Sequence, residues 1–242
     1  MRRAALPLLV AAPVLAVVVA GTGQGAAPPQ PERGVAVVVE PVRGTVQVHG
    51  PGTHRYEALA AARRVPVGST IDAKEGAVRL TIAAGDDGET SSAVFSEGKF
   101  TVTQPRTGKP TASLRLTGPR FADVCGNQAS TAAHRKKRRR VRRLWGDGHG
   151  SFRTVGQYSA GTVRGTRWLT EDRCDGTLTK VVRGTVEVED FTQEEPTPAP
   201  PTTGGGEGGG GNEPPGAPEP TEGAGDGGGV PVSAGNSYVA RP

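Results

Sequence analysis

The sequence predicts an all-β protein: a single domain of short antiparallel strands, arranged as a sandwich or as a solenoid-like roll. Apolar residues alternate with polar ones over short stretches, so that Val78, Leu80 and Ile82, for example, share one face of a predicted strand. Glycine-rich turn signals separate these stretches. A heptapeptide that contains Arg-Gly-Thr also occurs twice, at residues 42–48 and 182–188.

The predicted strands fall into two groups, on either side of a segment rich in small and basic residues. The alanine-rich residues 56–64 are predicted as one short helix, and residues 146–150 as a loop that closes the basic segment. Turn-forming residues at 171–176 predict a hairpin tip. Strands are expected at 35–40, 45–48, 77–83, 93–96, 100–103 and 113–117, and again at 162–170, 177–182 and 185–189.

The two heptapeptides read Val-Arg-Gly-Thr-Val-Gln-Val and Val-Arg-Gly-Thr-Val-Glu-Val, and they differ at a single position. A third Arg-Gly-Thr lies at residues 164–166. Glycine within a strand marks a bulge or a close approach of two backbones. The three motifs are therefore predicted to be equivalent bends in the β structure.

Composition limits the classes of protein to which the chain can belong. The residues AVILMFWYC make up 34% of the 242 residues and aromatic residues 4%, while the 37 glycines and 21 prolines together make up about a quarter. This excludes a polytopic membrane protein, a coiled coil and a zinc-finger array, and it argues against a large enzyme with a deep apolar cleft. The formal net charge is +5.

Residues 1–26 have the order of a secretory signal peptide. Two arginines precede an apolar segment at residues 6–20, and small residues follow it. The segment is short for a permanent membrane span, which needs about 20 residues. We therefore expect a cleaved signal peptide and a secreted or cell-surface protein. An uncleaved N-terminal anchor and a buried helix are the alternatives, and contact with a membrane is expected only if segment 6–20 is uncleaved.

Residues 194–229 form a low-complexity tract of glycine, proline, threonine and acidic residues. The tract has no aromatic side chain and no aliphatic one larger than that of alanine, so it cannot offset its ordering entropy and is predicted to be disordered. Valines and a tyrosine return at residues 230–242. We expect one β domain at 33–193, completed by a closing strand at 230–242, with the tract as an excursion from a hairpin loop.

Cys125 and Cys174 are the only cysteines of the chain. In an exported protein two thiols normally pair, and Cys174 falls at the predicted hairpin tip, where it can reach the loop at Cys125. A disulfide that closes a loop of this length contributes about 4 kcal/mol in the chain-entropy model. Two buried free thiols are the alternative. A metal site built on two cysteines is not expected.

A basic run places eight cations among the nine residues 135–143. The simplest interpretation is a solvated loop. The functional interpretation is a site for an envelope polyanion, such as teichoic acid or anionic lipid headgroups, because clustered arginines attract phosphate. The acidic tract of the chain itself is a further candidate partner, whereas nucleic acid is not expected for an exported chain without interleaved aromatic residues. The candidate polyanion-binding residues are Arg135, Lys136, Lys137, Arg138, Arg139, Arg140, Arg142 and Arg143.

The sequence gives no indication of an enzyme, and we expect no catalytic residue, no metal and no cofactor. The four histidines are scattered, and the acidic turns at 85–88 and 172–176 lack the alternating carboxylates of a Ca²⁺ loop. Neither the Gly-x-Ser-x-Gly elbow of a hydrolase nor a phosphate-binding glycine loop occurs. Trp145 and Trp168 are expected in the core, with sugar stacking as the alternative.

Several short motifs occur together in this chain. They include Val-Gly-Ser-Thr-Ile-Asp at 67–72, Leu-Trp-Gly-Asp-Gly at 144–148, Thr-Val-Arg-Gly-Thr-x-Trp-Leu at 162–169, Glu-Asp-Arg-Cys-Asp-Gly-Thr-Leu-Thr at 171–179 and Ala-Gly-x-Ser-Tyr at 234–238. With these motifs the chain resembles FecR-type domains, in the form found in exported proteins of high-GC Gram-positive bacteria. The resemblance spans about residues 33–193 and 230–242.

The resemblance implies an extracytoplasmic β domain without catalytic residues that contacts proteins, ligands or envelope material. FecR itself relays a signal to a cytoplasmic sigma factor, but only five residues precede the apolar segment here, so that relay is not expected to carry over. The expected function is a non-enzymatic binding or sensing module at the cell surface. The alternative is a structural envelope protein that binds polyanions through the Arg-rich loop 135–143.

Overall fold

The computed structural model describes residues 28–53, 55–85, 87–126, 139–163, 165–193 and 229–242. Within these ranges the chain forms fifteen strands and one short helix, so the all-β class predicted from the sequence is confirmed. The predicted signal peptide at 1–26 lies outside the described residues. So do residues 194–228 of the predicted disordered tract.

The strands before residue 120 form the first half of the sheet. In chain order they are β1 (Ala36–His49), β2 (Glu57–Ala58), β3 (Arg63–Pro66), β4 (Thr70–Ala83), β5 (Thr90–Ser96), β6 (Lys99–Thr103) and β7 (Ala112–Leu116). β1 and β4 are 14 residues long each and pair antiparallel along most of their length. Two predicted strands, at 35–40 and 45–48, are therefore parts of one long strand.

The second half begins with the helix. Its elements are α1 (Phe121–Cys125), β8 (Arg140–Gly148), β9 (Phe152–Val155), β10 (Ser159–Val163), β11 (Thr166–Arg173), β12 (Gly176–Arg183), β13 (Thr185–Asp190), β14 (Val230–Ser233) and β15 (Ser237–Ala240). β11 and β12 form a hairpin whose tip holds Cys174, as predicted.

The strands hydrogen-bond into one nearly closed sheet. Its order is β14-β13-β10-β9-β7-β6-β4-β5-β8-β11-β12-β15, with β1 beside β4 and with β2 and β3 paired to β1. The neighbours are antiparallel except β7 and β9, which run parallel. Residues 229–242 supply both ends of this order, because β14 pairs with β13 and β15 pairs with β12.

Two long antiparallel ladders bend at paired glycines. Gly44 lies opposite Gly76 in the β1–β4 ladder, and the first part of β4 pairs with β6 whereas its last part pairs with β5. Gly184, between β12 and β13, similarly contacts Gly165, between β10 and β11. The glycines of the three Arg-Gly-Thr motifs have left-handed φ angles of +63°, +72° and +78°. The motifs are therefore bends, as the repeat predicted.

Four large aromatic side chains, from β5, β6, β9 and β11, belong to the main core. The ring of Phe95 on β5 packs against Phe100 on β6 and Phe152 on β9, at centroid distances of 5.6 and 5.5 Å. Trp168 on β11 meets Phe95 edge-on at 5.9 Å. All four side chains are fully buried. Aromatic side chains far apart in the chain thus pack together in one core.

Hydroxyl groups line another part of the core. Trp168 Nε1 donates a hydrogen bond to Thr154 Oγ1 at 3.1 Å, and the hydroxyls of Thr154 and Thr170 lie 2.6 Å apart. Both threonines are fully buried, as are Thr177 and Thr179. The Thr154 hydroxyl thus gives the indole N–H a polar partner that an aliphatic core could not offer.

Two sequence predictions of local structure are wrong. Residues 56–64 do not form a helix, because β2 and β3 pair with β1 and Leu59 is buried; a helix this short is marginal without packing. The predicted loop 146–150 is strand up to Gly148. Gly146 does not form a turn. Its lack of a side chain makes room for the Trp168 ring, from which a Cβ at this position would lie 2.4 Å away.

The prediction that 135–143 is an Arg-rich loop is also wrong for its second part. β8 begins at Arg140 and pairs with β11, which places Arg140, Arg142 and Arg143 on a strand. Residues 135–138 lie outside the described residues. The strand forms because Leu144 and Gly146 face the core, where Trp168 packs, and β5 and β11 pair with β8 on its two sides.

Candidate anion-binding cleft

A basic cleft of about 410 Å³ opens where the first residues of β8 approach the turn between β5 and β6. Five of its lining side chains carry a positive charge and one, Glu97, carries a negative charge. The lining residues are Lys74, Glu97, Gly98, Lys99, Thr117, Gly118, Pro119, Arg140, Val141, Arg142 and Arg143.

Four separate parts of the chain meet at the basic cleft, and backbone contacts fix their arrangement. Ala73 N donates to Gly98 O at 2.8 Å, and Glu97 N donates to Ala73 O at 2.9 Å, so the β5–β6 turn is tied to β4 beside Lys74. Gly98 also lets the turn touch β8, because a Cβ there would lie 2.1 Å from Arg143 O. The positions of the lining cations therefore follow from the sheet itself.

Arg142 is held by the most extensive polar network on β8. Its Nε donates to Asp172 Oδ2 at 2.7 Å and its Nη2 donates to Gln157 Oε1 at 3.2 Å. Asp172 is fully buried, and its Oδ1 also accepts hydrogen bonds from Gln157 N at 2.9 Å and Thr177 Oγ1 at 2.6 Å. Arg142 thus has its charge compensated from inside the fold, although it also lines the cleft.

The helix α1 covers this network from outside. The guanidinium of Arg142 stacks over the Phe121 ring at 5.2 Å, and Phe121 meets the Tyr158 ring edge-on at 5.8 Å. Tyr158 N donates to Thr177 Oγ1 at 3.0 Å, which joins the aromatic cover to the network around Asp172. Since α1 has no buried residue of its own, these ring contacts supply part of what holds it in place.

The two cysteines lie at disulfide distance and are bonded. Their Cα atoms are 5.6 Å apart, and the bond joins the end of α1 to the β11–β12 tip. Arg139 is part of this junction, because its O accepts from Cys174 N at 3.0 Å and its Nη1 donates to Val124 O at 3.1 Å. The disulfide therefore anchors the residue at which the Arg-rich segment enters β8.

The remaining lining cations differ in how their charges are compensated. Lys74 Nζ lies 3.2 Å from Asp72 Oδ2, but the Lys74 side chain is 61% exposed. Arg143 pairs with Glu97. Lys99 Nζ stands 5.4 Å above the Tyr56 ring. Within the described part of the chain, neither Lys99 nor Arg140 has a carboxylate partner, so no carboxylate there neutralises the charge of these two cations.

The cleft holds only part of the predicted polyanion-binding set. Arg140, Arg142 and Arg143 line it, Arg139 contacts α1 and the disulfide junction instead, and residues 135–138 lie outside the described residues. Lys74 and Lys99 were not predicted, because neither belongs to a basic run and only the register of β4 and β6 brings them near β8. Their isolated positions in the sequence offer no signal for the site.

The two tryptophans have different surroundings. Trp168 is in the core, as predicted, whereas Trp145 is partly exposed on the outer side of β8, where the Arg167 guanidinium stacks over its ring at 5.7 Å. No helix among the described residues is long and apolar enough to cross a membrane. In the same ranges, no group of three or more His, Cys, Asp or Glu side chains could hold a metal ion.

Comparison with models of protein families, with curated proteins and with solved structures gives no match to this chain. The resemblance to FecR-type domains therefore stays a prediction. What can be said of function depends on the basic cleft and on the disulfide.

Proposed function

We propose that the chain is a non-enzymatic, extracytoplasmic binding module that takes a phosphate-bearing polyanion of the cell envelope in its basic cleft. The main support is that Lys74, Lys99 and three arginines of β8 converge on one open cleft although they come from three parts of the chain. Arginine and lysine side chains grouped in this way bind phosphate oxygens through charge-assisted hydrogen bonds.

The character of the cleft favours a polyanion over a protein partner. Protein interfaces centre on large apolar and aromatic side chains, with charged residues depleted at the centre. The lining of this cleft is mainly charged, and Val141 and Pro119 are its larger apolar side chains. We therefore place polyanion binding ahead of the protein-sensing role that the resemblance to FecR implies.

The disulfide supports the proposed location. A Cys125–Cys174 bond indicates an oxidising compartment, which for a bacterial chain means the outside of the cytoplasmic membrane. Phosphodiester groups occur there both in wall polymers and in anionic lipid headgroups. The shared ligand chemistry is the phosphodiester, and the source is a matter for experiment.

The proposal is tested by measuring binding of the full chain to three probes: soluble poly(glycerol phosphate), vesicles of phosphatidylglycerol and vesicles of phosphatidylcholine. Binding to the polymer is measured by calorimetry, and binding to the vesicles is measured by co-sedimentation. We expect binding to the polymer that weakens steeply between about 50 and 200 mM salt. Binding to phosphatidylglycerol alone would assign the lipid source. Absence of binding to both phosphate probes at low salt would overturn the proposal.

A matched pair of variants separates the cleft from overall charge. Lys74→Gln with Lys99→Gln removes two cations of the cleft, and we expect it to weaken polymer binding about tenfold or more. Arg79→Gln with Lys180→Gln removes two cations that do not line the cleft and should leave binding nearly unchanged. Equal losses in the two variants would show that net charge, and not the cleft, attracts the polymer.

A further inference from the structure

Glu97 has a strained backbone. Among the residues that the structure describes, it is the one non-glycine residue with a left-handed conformation, at φ 59°. It is the first residue of the two-residue turn between β5 and β6, a position that glycine, asparagine or aspartate adopts more easily. For a glutamate this conformation costs about 1 kcal/mol. Strain of this kind concentrates at sites with a function.

The strained turn holds the Glu97 carboxylate inside the basic cleft. The carboxylate forms an ion pair with Arg143, and both side chains remain partly exposed. The hydrogen bonds between the turn and Ala73 prevent the backbone from moving away. Glu97 is also the one acidic residue of the lining, so it occupies the place that an external anion would take at Arg143.

We infer that Glu97 is an internal competitor for the anion position at Arg143, and that it makes the cleft select polyvalent anions over single ones. This inference rests on the proposed function. A tethered carboxylate has an effective concentration in the millimolar range, so a free anion of equal charge gains little by replacing it.

A polymer overcomes this competition because it binds elsewhere first. Lys99 and Arg140 have no carboxylate partner in the described ranges, and a polyphosphate that contacts them presents its next phosphate to Arg143 from the same molecule. That phosphate is then also held at a high effective concentration, and it competes with Glu97 on equal terms. A single phosphate ion has no such advantage.

The test compares Glu97→Gln with the unaltered full chain by calorimetry, with inorganic phosphate and a short sodium polyphosphate as probes. Glutamine keeps the size of the side chain and removes its charge. We expect the unaltered chain to bind polyphosphate but inorganic phosphate only very weakly. The variant should bind inorganic phosphate about fivefold more tightly, the value of a partly exposed ion pair, with a smaller gain for polyphosphate.

Glu189→Gln is the matched control, because Glu189 pairs with Arg153 at 2.7 Å on β13 and β9 and does not line the cleft. It changes the net charge by the same amount, and we expect no change in selectivity. If Glu97→Gln leaves the ratio of the two affinities unchanged, or Glu189→Gln changes it equally, the inference is wrong while polyanion binding stands. If polyphosphate does not bind the unaltered chain, the proposed function fails as well.

Discussion

At the scale of single residues, Asp172 carries a buried charge that depends on several hydrogen-bond partners. Its carboxylate is fully buried and accepts hydrogen bonds from Arg142, Gln157 and Thr177. A buried charge is tolerated when such partners replace the water that it has lost. Removing the charge leaves the Arg142 guanidinium, which is mostly buried, without its counterion.

We expect Asp172→Asn to lower the free energy of unfolding by about 3 kcal/mol, because one charge of a buried pair is removed while the other remains. Urea denaturation of the variant and the unaltered chain measures the loss. Asp147→Asn is the control, since Asp147 pairs with Arg183 at the surface, where both side chains are exposed. Its cost should stay below about 1 kcal/mol. Similar losses for the two variants would contradict the role assigned to Asp172.

Tyr238 and Asp190 form a second residue-scale link, which joins β15 to the end of β13. Tyr238 Oη donates to Asp190 Oδ2 at 2.7 Å. Partial burial raises the pKa of Asp190, but hydrogen bonds from Thr192 and Tyr238 outweigh it and leave that pKa below its usual value. The same bond to Asp190, together with partial burial, raises the pKa of Tyr238. The bond therefore stabilises the fold at intermediate pH.

The pH dependence follows from these directions. The stability due to Asp190 is present above its unfolded pKa of about 3.9 and is lost as the pH falls through the lower folded value. The stability due to Tyr238 is present below its unfolded pKa of about 10 and is lost as the pH rises through the higher folded value. Tyr238→Phe should cost about 1 kcal/mol at neutral pH and less in acid and in alkali. Denaturation at the three pH values checks this, and a constant difference would exclude the bond as the cause.

At the scale of the elements, the paired glycines decide where the long ladders bend. Gly44→Ala should lower the free energy of unfolding by about 3 kcal/mol or more, since a Cβ there would lie 2.2 Å from Glu75 O in a left-handed backbone. Gly52→Ala is the control, because Gly52 has a similar φ of +70° and nothing within 4 Å of the added carbon. Its cost should be about 1 kcal/mol, which is the conformational strain alone. Equal costs would show that close contact plays no part.

The sequence predicts the strands well where alternation and turn residues agree, as in β5, β6, β7 and the β11–β12 hairpin. The prediction is wrong where the local composition favours one structure and strand pairing in the folded protein requires another. The alanine-rich residues 56–64 have helical propensity, yet strands in this region pair with β1. The arginines of 140–143 have side chains that favour solvent, yet they lie on β8, where the residues that follow them face the core. Only tertiary pairing resolves such conflicts.

The candidate site was predictable only in part for the same reason. A basic run is visible as consecutive cations, whereas Lys74 and Lys99 join the cleft through the register of distant strands. The left-handed backbone of Glu97 also leaves no trace in the sequence beyond the glycine that follows it. The disulfide, in contrast, could be predicted from the number of cysteines and the expected oxidising compartment alone.

At the scale of the whole molecule, residues 229–242 pair with both β12 and β13 and bury Val232 and Ala240. We expect deletion of residues 230–242 to lower the Tm by about 10 °C, because two ladders and their buried side chains are lost. Deletion of residues 194–229 should change the Tm little, since a longer loop costs only about 1.6 kcal/mol in closure entropy. Thermal unfolding followed by circular dichroism compares the two. Small and equal effects would show that the C-terminal strands do not belong to the cooperative unit.

The pairing of the C-terminal strands has a consequence for biosynthesis. Because the ribosome makes residues 229–242 after β12 and β13, these two strands are complete before the strands that cover them exist. Until then both present unpaired backbone N–H and C=O groups, which can recruit a strand from a neighbouring nascent chain. Any product truncated before residue 229 keeps these edges bare, so premature termination should yield a protein that unfolds at a lower temperature and aggregates more readily than the full chain.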